Sequence, residues 1–512
     1  MNILFASSEI VPFAKTGGLA DVSNALPRAL ADMGHQMHLF LPAYRSALDG
    51  GASFEEAGFK DAGILLQIPV GTRLFTGRVL TGKLPESTVP VYLITQDEFF
   101  DREGIYGENG EDYDDNCARF VFFCRSILET ARLLRISYDL VHCNDWQTGL
   151  LPAIVKLEQR PVSIQYDVPT LMTIHNLAYQ GNFHHLEMKL TGIDWKHFNW
   201  EEMEFHGNLS LLKTGIVYAD AISTVSPTYA REIQTVEHGC GLDEVLRHRA
   251  SDLTGIINGV DDSDWNPAND RHLATNFDVS NWKTGKGVCK TELQQIMGLP
   301  TNPGVPVVGI IGRLAEQKGW DLIIEVMRSS LSHERVQWVI LGTGEARFEK
   351  EISLMAREWP EKVGAQLTFS NELAHKIEAG ADLFLMPSRY EPCGLNQLYS
   401  LKYGTVPVTR ETGGLKDTVI NADESAVANQ RGNGFTFTEY SVEALQSALG
   451  RALITYSDHP EIWGRIVETG MQQDWSWAES ARKYDQLYES LTTKRQIQRK
   501  PHLQPHSHEA SD

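Results

Sequence analysis

The sequence predicts an α/β protein with two parallel-sheet domains in series. Short runs of β-forming residues alternate with helical patterns in both halves of the chain, which is typical of parallel βαβ units. The length of 512 residues exceeds what one ordinary hydrophobic core holds. The string TGGL, followed one residue later by aspartate, occurs near each end, at residues 16–21 and 412–417. We therefore expect two domains, each carrying one such turn after a strand.

The first half contains predicted strands that alternate with helices. The strands are residues 2–6, 36–41, 139–143, 169–174 and 221–225. After the first strand, apolar residues recur at spacings of three and four, which places them on one helix face. They are Leu19, Val22, Leu26, Leu30 and Met33. Pro27 lies inside this helix, where we expect a kink.

The second half repeats the pattern. Its predicted strands are residues 305–311, 336–341, 366–369, 382–386 and 405–408. The stretch 258–269, rich in Asn, Asp, Gly and Pro, is predicted to connect the halves. We expect Rossmann-like domains at 1–256 and 257–474. Ligands of such sheets bind beyond the carboxyl ends of the strands, so the site is expected in a deep cleft between the domains.

Composition excludes several classes of protein. The hydrophobic fraction of 42% and charged fraction of 22% are those of a globular protein, and no apolar run is long enough to span a membrane. The formal charge of −21 argues against a nucleic-acid partner, which would need a basic surface. The six cysteines form no disulfide or metal pattern and are interpreted as reduced thiols. The chain opens directly in a strand, so we expect no targeting peptide.

Both TGGL turns are predicted to contact phosphate or sugar. Paired glycines let a backbone approach a ligand closely, and the helix that follows offers unpaired N–H groups and a positive dipole end. Two further loops follow predicted strands of the second half. GRLAEQKG places Arg313 and Lys318 where a diphosphate would be a natural partner, and PSRYEPCGLNQ places Glu391 on a tight turn before a helix. Glu391 is either a first-turn residue favoured by the helix dipole or a carboxylate beside a transferred sugar.

Several blocks together resemble a known family. In chain order they are KTGGLADV, YDDNCARF, HCNDWQTGL, TIHNLAYQG, INGVD, GRLAEQKG, SRYEPCGLNQLYSLKYGTVPV and ETGGLKDTV. The order is that of bacterial glycogen synthases and plant starch synthases, and the resemblance covers about residues 1–490. It implies a retaining glucosyltransferase of GT-B fold that transfers glucose from ADP-glucose to the non-reducing end of an α-1,4-glucan. ADP-glucose is then the donor substrate, and no cofactor is expected.

The resemblance also implies a catalytic set. It comprises Glu391, Lys15, Arg313, Lys318, His175 and Asp145. In the family pattern the first lysine contacts the sugar nucleotide, the Arg–Lys pair neutralises the departing diphosphate, and the glutamate lies beside the donor glucose. The histidine contacts the donor sugar, and Asp145 orders the cleft. The alternatives are a surface lysine at Lys15, a core histidine at His175 and a helix cap at Asp145.

A second set is predicted to bind substrate. It comprises Gly17, Gly18, Asp21, Asn176, Asn258, Phe369, Cys393, Gly394, Leu395, Gly413 and Gly414. Phe369 stands where some family members have a tyrosine in contact with adenine, so stacking is kept and a phenolic hydrogen bond is lost. Cys393 is predicted to be a packing and sugar contact, not a nucleophile. No enzyme nucleophile is required, because the acceptor hydroxyl attacks from the face that the diphosphate leaves. In that scheme the leaving phosphate oxygen takes the acceptor proton.

Other functions receive weaker support. The segment LGTGEA follows a predicted strand but lacks the third glycine of a dinucleotide fingerprint, since Arg347 occupies its place. This argues against an NAD-dependent oxidoreductase. The acidic triplet 112–114 belongs to a loop, so we expect no catalytic metal. A UDP-glucose-dependent enzyme of the sucrose-phosphate synthase type and an inactive glucan-binding protein remain the alternatives. The second would require loss of residues such as Lys15 or Glu391, which are present.

The end of the chain is predicted to contain one more helix and a tail. Residues 475–491 carry apolar positions at helical spacing, and the resemblance implies a helix that returns to the first domain. Residues 492–512 are polar without apolar periodicity and are expected to be disordered. The resemblance implies a cytoplasmic bacterial enzyme or a mature enzyme of the plastid stroma.

Overall fold

The computed structural model describes residues 1–108, 110–159, 167–333 and 335–499. The chain divides into two compact units. Unit 1 contains Met1–Ser223, Glu244–Leu253 and the chain from Ala481, and unit 2 contains Thr224–Asp243 and Thr254–Ser480. The predicted boundaries at 256 and 474 therefore need correction. Thr224–Asp243 groups with unit 2, and the last helix joins unit 1 only from Ala481.

The strands are β1 (Asn2–Ala6), β2 (Gln36–Pro42), β3 (Lys60–Val70), β4 (Arg73–Lys83), β5 (Pro90–Thr95), β6 (Gly107–Glu108), β7 (Glu111–Asp112), β8 (Leu140–Asn144), β9 (Thr170–Ile174), β10 (Asn182–His184), β11 (Glu204–Phe205), β12 (Asn208–Ser210), β13 (Ala221–Thr224), β14 (Leu253–Gly255), β15 (Val307–Ile311), β16 (Gln337–Leu341), β17 (Val363–Gln366), β18 (Leu383–Met386), β19 (Val406–Arg410) and β20 (Phe435–Phe437).

The helices are α1 (Gly18–Asp32), α2 (Arg45–Leu48), α3 (Ala52–Ala57), α4 (Asp97–Phe100), α5 (Asn116–Leu133), α6 (Leu150–Ile154), α7 (Met188–Thr191), α8 (Leu211–Tyr218), α9 (Pro227–Glu232), α10 (Asp243–His248), α11 (Trp282–Ile296), α12 (Trp320–Leu331), α13 (Ala346–Glu358), α14 (Asn371–Gly380), α15 (Asn396–Tyr403), α16 (Gly413–Thr418), α17 (Glu424–Ala428), α18 (Val442–Asp458), α19 (Pro460–Gln472) and α20 (Trp477–Arg499). Pro27 lies within α1, and the helix continues past it to Asp32. None of the described helices is both long and apolar enough to cross a membrane.

The first sheet is mixed. Its order is β14-β13-β9-β8-β1-β2-β5-β4-β3, and β1 lies between its parallel partners β2 and β8. At one edge β4 runs antiparallel to both β5 and β3. The expectation of purely parallel units missed this hairpin, although exposed and buried residues alternate along β4 as in a half-buried strand. Gly71 adopts a φ of +60° at the hairpin turn, where a side chain would be strained.

The second sheet has the order β17-β16-β15-β18-β19-β20, and its registered neighbours are all parallel. Counted along the chain this is 3-2-1-4-5-6, the order of a dinucleotide-binding sheet. The order reverses between β15 and β18, so the loops that follow these two strands open at the switch point. A ligand of unit 2 is expected at this point.

Two predicted boundaries are wrong. β17 ends at Gln366, so Phe369 lies in the loop before α14 and not in a strand. Ser370 starts that helix by accepting a hydrogen bond from the Leu373 N–H, which ends the extended conformation early. At the end of the chain α20 continues to Arg499, so a disordered tail does not begin at 492.

The longer helix has a physical explanation. Lys, Arg and Gln, which dominate its last turns, are good helix formers even without an apolar face. Arg495 adds an ion pair, because its Nε donates to Asp167 at 2.8 Å. Residues 500–512 of the predicted tail lie outside the described residues.

Candidate active site

The predicted residues of unit 1 lie on loops at the carboxyl edge of its sheet. The loop after β1 carries Lys15 and the first TGGL turn. Asp145 directly follows β8, and His175 and Asn176 directly follow β9. Since these three strands are parallel neighbours, the sheet brings their loops to one edge.

The first TGGL turn is held by a buried carboxylate that the sequence did not reveal. Glu9 is 4% exposed and accepts hydrogen bonds from the Thr16 N–H at 2.5 Å and the Gly17 N–H at 3.1 Å. It also accepts from the hydroxyls of Thr16 and Tyr106, each at 2.7 Å. The sequence had suggested unpaired N–H groups at this turn, but those of Thr16 and Gly17 are bound by Glu9.

Lys15 projects from the same turn. Its Nζ lies 2.7 Å from Asp21 Oδ1, and both side chains are partly exposed. A Cβ added to Gly17 would meet nothing within 4 Å. The turn therefore leaves open space beside Gly17 and holds the ammonium group of Lys15 on the surface, which an incoming phosphate or sugar could reach.

Asp145 has an unusual backbone and an unusual environment. Its φ is +56°, a conformation that non-glycine residues adopt at a cost and that concentrates at functional sites. Its Oδ1 accepts the His175 N–H at 2.7 Å, and its carboxyl also accepts the Asn176 N–H. Burial raises the pKa of this carboxyl to about 7, and the two N–H bonds oppose the rise. Asp145 thus ties the loop after β8 to the loop after β9.

His175 is neutral and its tautomer is set by a neighbour. Burial lowers the pKa of His175 to about 3. Asn144 Nδ2 donates to the Ala6 carbonyl at 3.0 Å, which turns its Oδ1 toward His175 Nε2 at 2.9 Å. Because that oxygen only accepts, Nε2 carries the hydrogen and Nδ1 keeps its lone pair. The ring can then accept a hydrogen bond from a sugar hydroxyl.

The switch point of unit 2 holds an ion pair. Lys318 Nζ, on the loop after β15, lies 2.7 Å from Glu391 Oε2, on the loop after β18. The same oxygen accepts the hydroxyl of Ser388 at 3.0 Å, and Glu391 is 6% exposed. A buried carboxylate needs such partners. The structure therefore brings together two of the predicted catalytic residues and adds Ser388, which the sequence analysis missed.

Arg313 is placed on the same loop as Lys318. It is exposed, and its guanidinium donates to Gln317 at 3.2 Å. Gly319 closes the loop with a φ of +77°, and a Cβ there would lie 2.3 Å from the Pro387 carbonyl. Glycine at 319 is thus required so that the loop after β15 can touch the loop after β18.

The turn Cys393–Leu395 precedes α15. Cys393 is buried, and burial raises the pKa of its thiol to about 12, so the sulfur is a thiol and not a thiolate at neutral pH. Its Sγ accepts a hydrogen bond from the Asn258 N–H. Within the part of the chain that the structure describes, the N–H groups of Gly394 and Leu395 have no acceptor. They are free to bind an anion at the start of α15.

The second TGGL turn packs against that loop. The Gly414 N–H donates to the Glu391 carbonyl at 3.1 Å, and a Cβ on Gly413 or Gly414 would lie 1.9 or 2.0 Å from a carbonyl oxygen of the loop. The Gly413 N–H donates to both carboxylate oxygens of Glu232 at 3.0 Å. As in the first turn, a carboxylate occupies N–H groups that had been expected to be free.

The remaining predicted residues have distinct settings. Asn258 is 6% exposed, and among the described residues its buried Oδ1 has no hydrogen-bond partner. Phe369, on the loop that follows β17, is 82% exposed, so its ring is available for stacking. No cluster of three metal-ligating side chains occurs in the described residues.

The residues that the sequence analysis missed share one property. Glu9, Ser388 and Glu232 bind backbone N–H groups or another predicted side chain. Glu9 and Ser388 stand within the loops that follow β1 and β18, so their position at a carboxyl strand end could have indicated them. Glu232 gives no such signal, because it is distant in sequence from the turn that it binds.

Comparisons with known proteins identify relatives along nearly the whole chain. The starch synthase catalytic domain family matches residues 2–248, and the glycosyl transferases group 1 family matches residues 294–466. A glycogen synthase of Rhodopirellula baltica is 45% identical over 498 residues, covering 95% of this chain and 97% of the relative. A glycogen synthase of Anaeromyxobacter dehalogenans is 46% identical over 493 residues, with 96% and 99% covered.

A solved structure extends this likeness to three dimensions. The catalytic domain of starch synthase IV from Arabidopsis thaliana, bound to ADP and acarbose, superposes with a TM-score of 0.87 at 31% identity. The match covers 96% of this chain and 99% of that one. The predicted fold class, GT-B with two Rossmann-like domains, is thereby confirmed.

Proposed function

Because this chain belongs to the glycogen synthase and starch synthase family of glycosyltransferases, we propose that it transfers glucose from ADP-glucose to the non-reducing end of an α-1,4-glucan. Configuration at the transferred carbon is retained, and the glucan grows by one unit. The observation that carries the proposal is the switch point of unit 2. There, the pair Lys318–Glu391 lies on neighbouring loops, and the N–H groups of Gly394 and Leu395 have no acceptor among the described residues.

The cationic and N–H groups suit the diphosphate of the donor. Arg313 and Lys318 supply positive charge, and the start of α15 supplies N–H donors and the positive end of the helix dipole. At 4 Å and an effective dielectric near 20, one pair of unit charges is worth roughly 4 kcal/mol. The charge on the diphosphate grows as the bond to glucose breaks, so these groups stabilise the transition state more than the bound substrate.

The acidic side of the pair suits the sugar. Glu391, fixed by Ser388 and Lys318, can accept hydrogen bonds from glucose hydroxyls and stabilise positive charge at the anomeric carbon. Cys393 is a neutral thiol and is not expected to form a covalent intermediate. The acceptor 4-hydroxyl then forms the new bond from the face that ADP leaves. The proton of the acceptor hydroxyl passes to the phosphate oxygen that is released from glucose, and ADP is the second product.

The residues of unit 1 are assigned to the same reaction. Lys15 is proposed to contact the sugar nucleotide, and His175 to accept a glucose hydroxyl at Nδ1. Asp145 positions His175 and Asn176 through their N–H groups. Phe369 of unit 2 is proposed to stack on adenine, with Gly17, Gly18, Asp21, Asn258, Gly413 and Gly414 shaping the surfaces around donor and acceptor.

The test is chain elongation with the full-length protein. Incubation with ADP-glucose and a maltooligosaccharide should lengthen the oligosaccharide, and UDP-glucose should support a much slower reaction. Activity should persist in a metal chelator, because the proposed chemistry uses no metal or cofactor. We expect the enzyme to work without a membrane or nucleic-acid partner, in a bacterial cytoplasm or a plastid stroma.

Glu391→Ala should abolish elongation and leave the protein folded by circular dichroism. Glu443→Ala is the matched control, since Glu443 is an exposed glutamate in the first turn of α18, and it should keep normal activity. Normal elongation by the Glu391 variant would refute the assigned role. Rapid elongation with UDP-glucose alone would refute the choice of donor.

A further inference from the structure

The side chain of Gln397 contacts the turn that carries the open N–H groups. Gln397 is fully buried in the first turns of α15. Its Nε2 donates to the carbonyl of Cys393 at 3.0 Å and to the carbonyl of Gly394 at 3.1 Å. These two carbonyls belong to the peptide units whose N–H groups are on Gly394 and Leu395. Because a peptide unit is planar, the hydrogen bonds from Gln397 to the two carbonyls also fix the orientation of the Gly394 and Leu395 N–H groups.

The same amide reaches the second TGGL helix. Gln397 Nε2 lies 3.3 Å from the hydroxyl of Thr418 at the end of α16. Thr418 in turn donates to the Gly414 carbonyl at 2.7 Å, and the Gly414 N–H donates to the Glu391 carbonyl at 3.1 Å. One side-chain amide thus lies in a closed chain of contacts that joins α15, α16 and the loop of the proposed catalytic carboxylate.

The other end of the amide shows that its position is costly to maintain. Gln397 Oε1 is buried and has no hydrogen-bond partner within the described residues. A Cβ on Gly394 would lie 2.3 Å from this oxygen, and Gly394 has a φ of +72°. A buried acceptor without a donor lowers stability. An apolar side chain of similar size would remove this penalty together with the two donors, so the two changes in stability offset each other in part.

We propose that Gln397 is a positioning residue for glucosyl transfer, whose side-chain amide aims the Gly394 and Leu395 N–H groups at the donor diphosphate. The inference rests on the proposed function, because it assigns the diphosphate of the sugar nucleotide to these N–H groups. Gln397 itself is not assigned a contact with substrate. Its effect on the donor passes through the turn Cys393–Leu395.

Gln294 provides a matched control within the same unit. It is also a fully buried glutamine in a helix. Its Nε2 donates to the Asn302 carbonyl at 3.1 Å and to Gln337 Oε1 at 2.7 Å, and its Oε1 accepts the Asn302 N–H at 3.1 Å. These hydrogen bonds of Gln294 reach Asn302 and Gln337, which lie outside the two loops at the switch point. Since both polar atoms of the Gln294 side chain are hydrogen-bonded and Gln397 Oε1 is not, Gln294→Met should lower stability more than Gln397→Met.

The experiment measures ADP binding by calorimetry, the KM for ADP-glucose and the thermal midpoint for wild type, Gln397→Met and Gln294→Met. Gln397→Met should weaken ADP binding and raise the KM for ADP-glucose about tenfold. This is the effect expected when one or two hydrogen bonds from the misoriented N–H groups to the diphosphate are lost. The thermal midpoint of Gln397→Met should stay close to that of wild type, because the unpartnered Oε1 is removed together with the donors. Gln294→Met should lower the midpoint and leave ADP affinity unchanged.

A second variant adds a pH readout. In Gln397→Glu the introduced carboxylate would face the carbonyls of Cys393 and Gly394 and repel them. Protonation restores one donor, so ADP affinity of this variant relative to wild type should recover as the pH falls. Wild-type ADP affinity in Gln397→Met, or an equal loss in Gln294→Met, would overturn the inference. A wild-type protein that binds ADP but does not elongate a glucan would overturn the proposed function and leave the positioning effect measurable.

Discussion

The two TGGL turns have the same sequence but need their glycines for different reasons. In the first turn, Gly17 faces open space, with no atom within 4 Å of an added Cβ. In the second, Gly413 and Gly414 lie against the backbone of residues 391–393, where a Cβ would overlap carbonyl oxygens. The first glycine is tolerated by the protein and leaves room for a ligand. The second pair is required by the protein itself.

The turns share a feature that the sequence did not indicate. Each has a carboxylate bound to its N–H groups, supplied by Glu9 in unit 1 and by Glu232 in unit 2. An anion preference at a helix start can therefore be satisfied from within the chain. In unit 2 the open N–H groups are instead those of Gly394 and Leu395, outside the repeated motif.

The largest expected effect separates the glycines of the two turns. Gly414→Ala should destabilise unit 2 by about 3 kcal/mol and abolish elongation, because its Cβ would lie 2.0 Å from the Cys393 carbonyl. Gly17→Ala should cost at most about 1 kcal/mol, the preference for glycine over alanine at an N-cap. Chemical denaturation and elongation assays on both variants give the comparison. Equal losses of stability would contradict the distinction between the turns.

The stability losses caused by replacing Glu9 and Glu232 should differ less than those of the two glycine variants. Glu9→Gln is expected to cost about 2 kcal/mol, since the buried side chain accepts from two N–H groups and two hydroxyls and an amide can satisfy only part of this set. Glu232→Gln should cost about 1 kcal/mol, because Glu232 is only half-buried. Unfolding midpoints in urea provide the measurement. A greater cost at Glu232 would show that the second turn depends more on its carboxylate than the first.

A third prediction concerns pH and Asp145. Burial raises the pKa of its carboxyl from 3.8 to about 7, so the folded state keeps a proton that the unfolded state releases. The stabilisation is complete below about pH 4 and is lost as the pH rises to about 7. The thermal midpoint of wild type should therefore fall relative to that of Asp145→Asn across this range and run parallel above it. A constant difference from pH 4 to 7 would show that Asp145 ionises normally.

The smallest expected effect is at the surface of the first turn. Asp21→Asn removes the partner of Lys15, but a part-exposed ion pair contributes only about 0–1 kcal/mol. The thermal midpoint should hardly change. Because Asp21 holds the Lys15 ammonium group at 2.7 Å, the KM for ADP-glucose should rise in this variant, by at most about fivefold. An unchanged KM would mean that Lys15 finds its position without Asp21.

Much of the fold follows from local patterns in the sequence. The bounds of buried strands such as β1 and β18 were predicted to within one residue. The apolar spacing from Leu19 to Met33 predicted a helix where α1 lies. The hairpin β3–β4 was missed because its strands alternate apolar and polar residues, whereas the predicted strands were identified from continuous apolar runs. The last turns of α20 were missed because helix propensity, not apolar periodicity, maintains them.

The candidate site was less accessible to sequence reasoning. Motif blocks indicate residues that follow strands, such as Glu391 and Asp145, but not what those residues touch. The pairing of Lys318 with Glu391 and the bond from Gly413 to Glu232 join segments far apart in the chain. The tautomer of His175 depends on how Asn144 is oriented by Ala6. These features require the fold before they can be inferred.

The helix α20 has a consequence for the order in which the protein can fold during synthesis. From Ala481 onward it belongs to unit 1, where the buried Tyr488 hydroxyl lies 2.7 Å from His142 Nδ1 and Asp485 lies 2.9 Å from His35 Nε2. The ribosome makes every residue of unit 2 before it reaches Ala481. At about 5–20 residues per second, the nascent unit 1 waits for roughly ten seconds or more with part of its apolar surface uncovered. We expect unit 2 to complete its core first, and chaperones to act mainly on the half of the protein that is translated earliest.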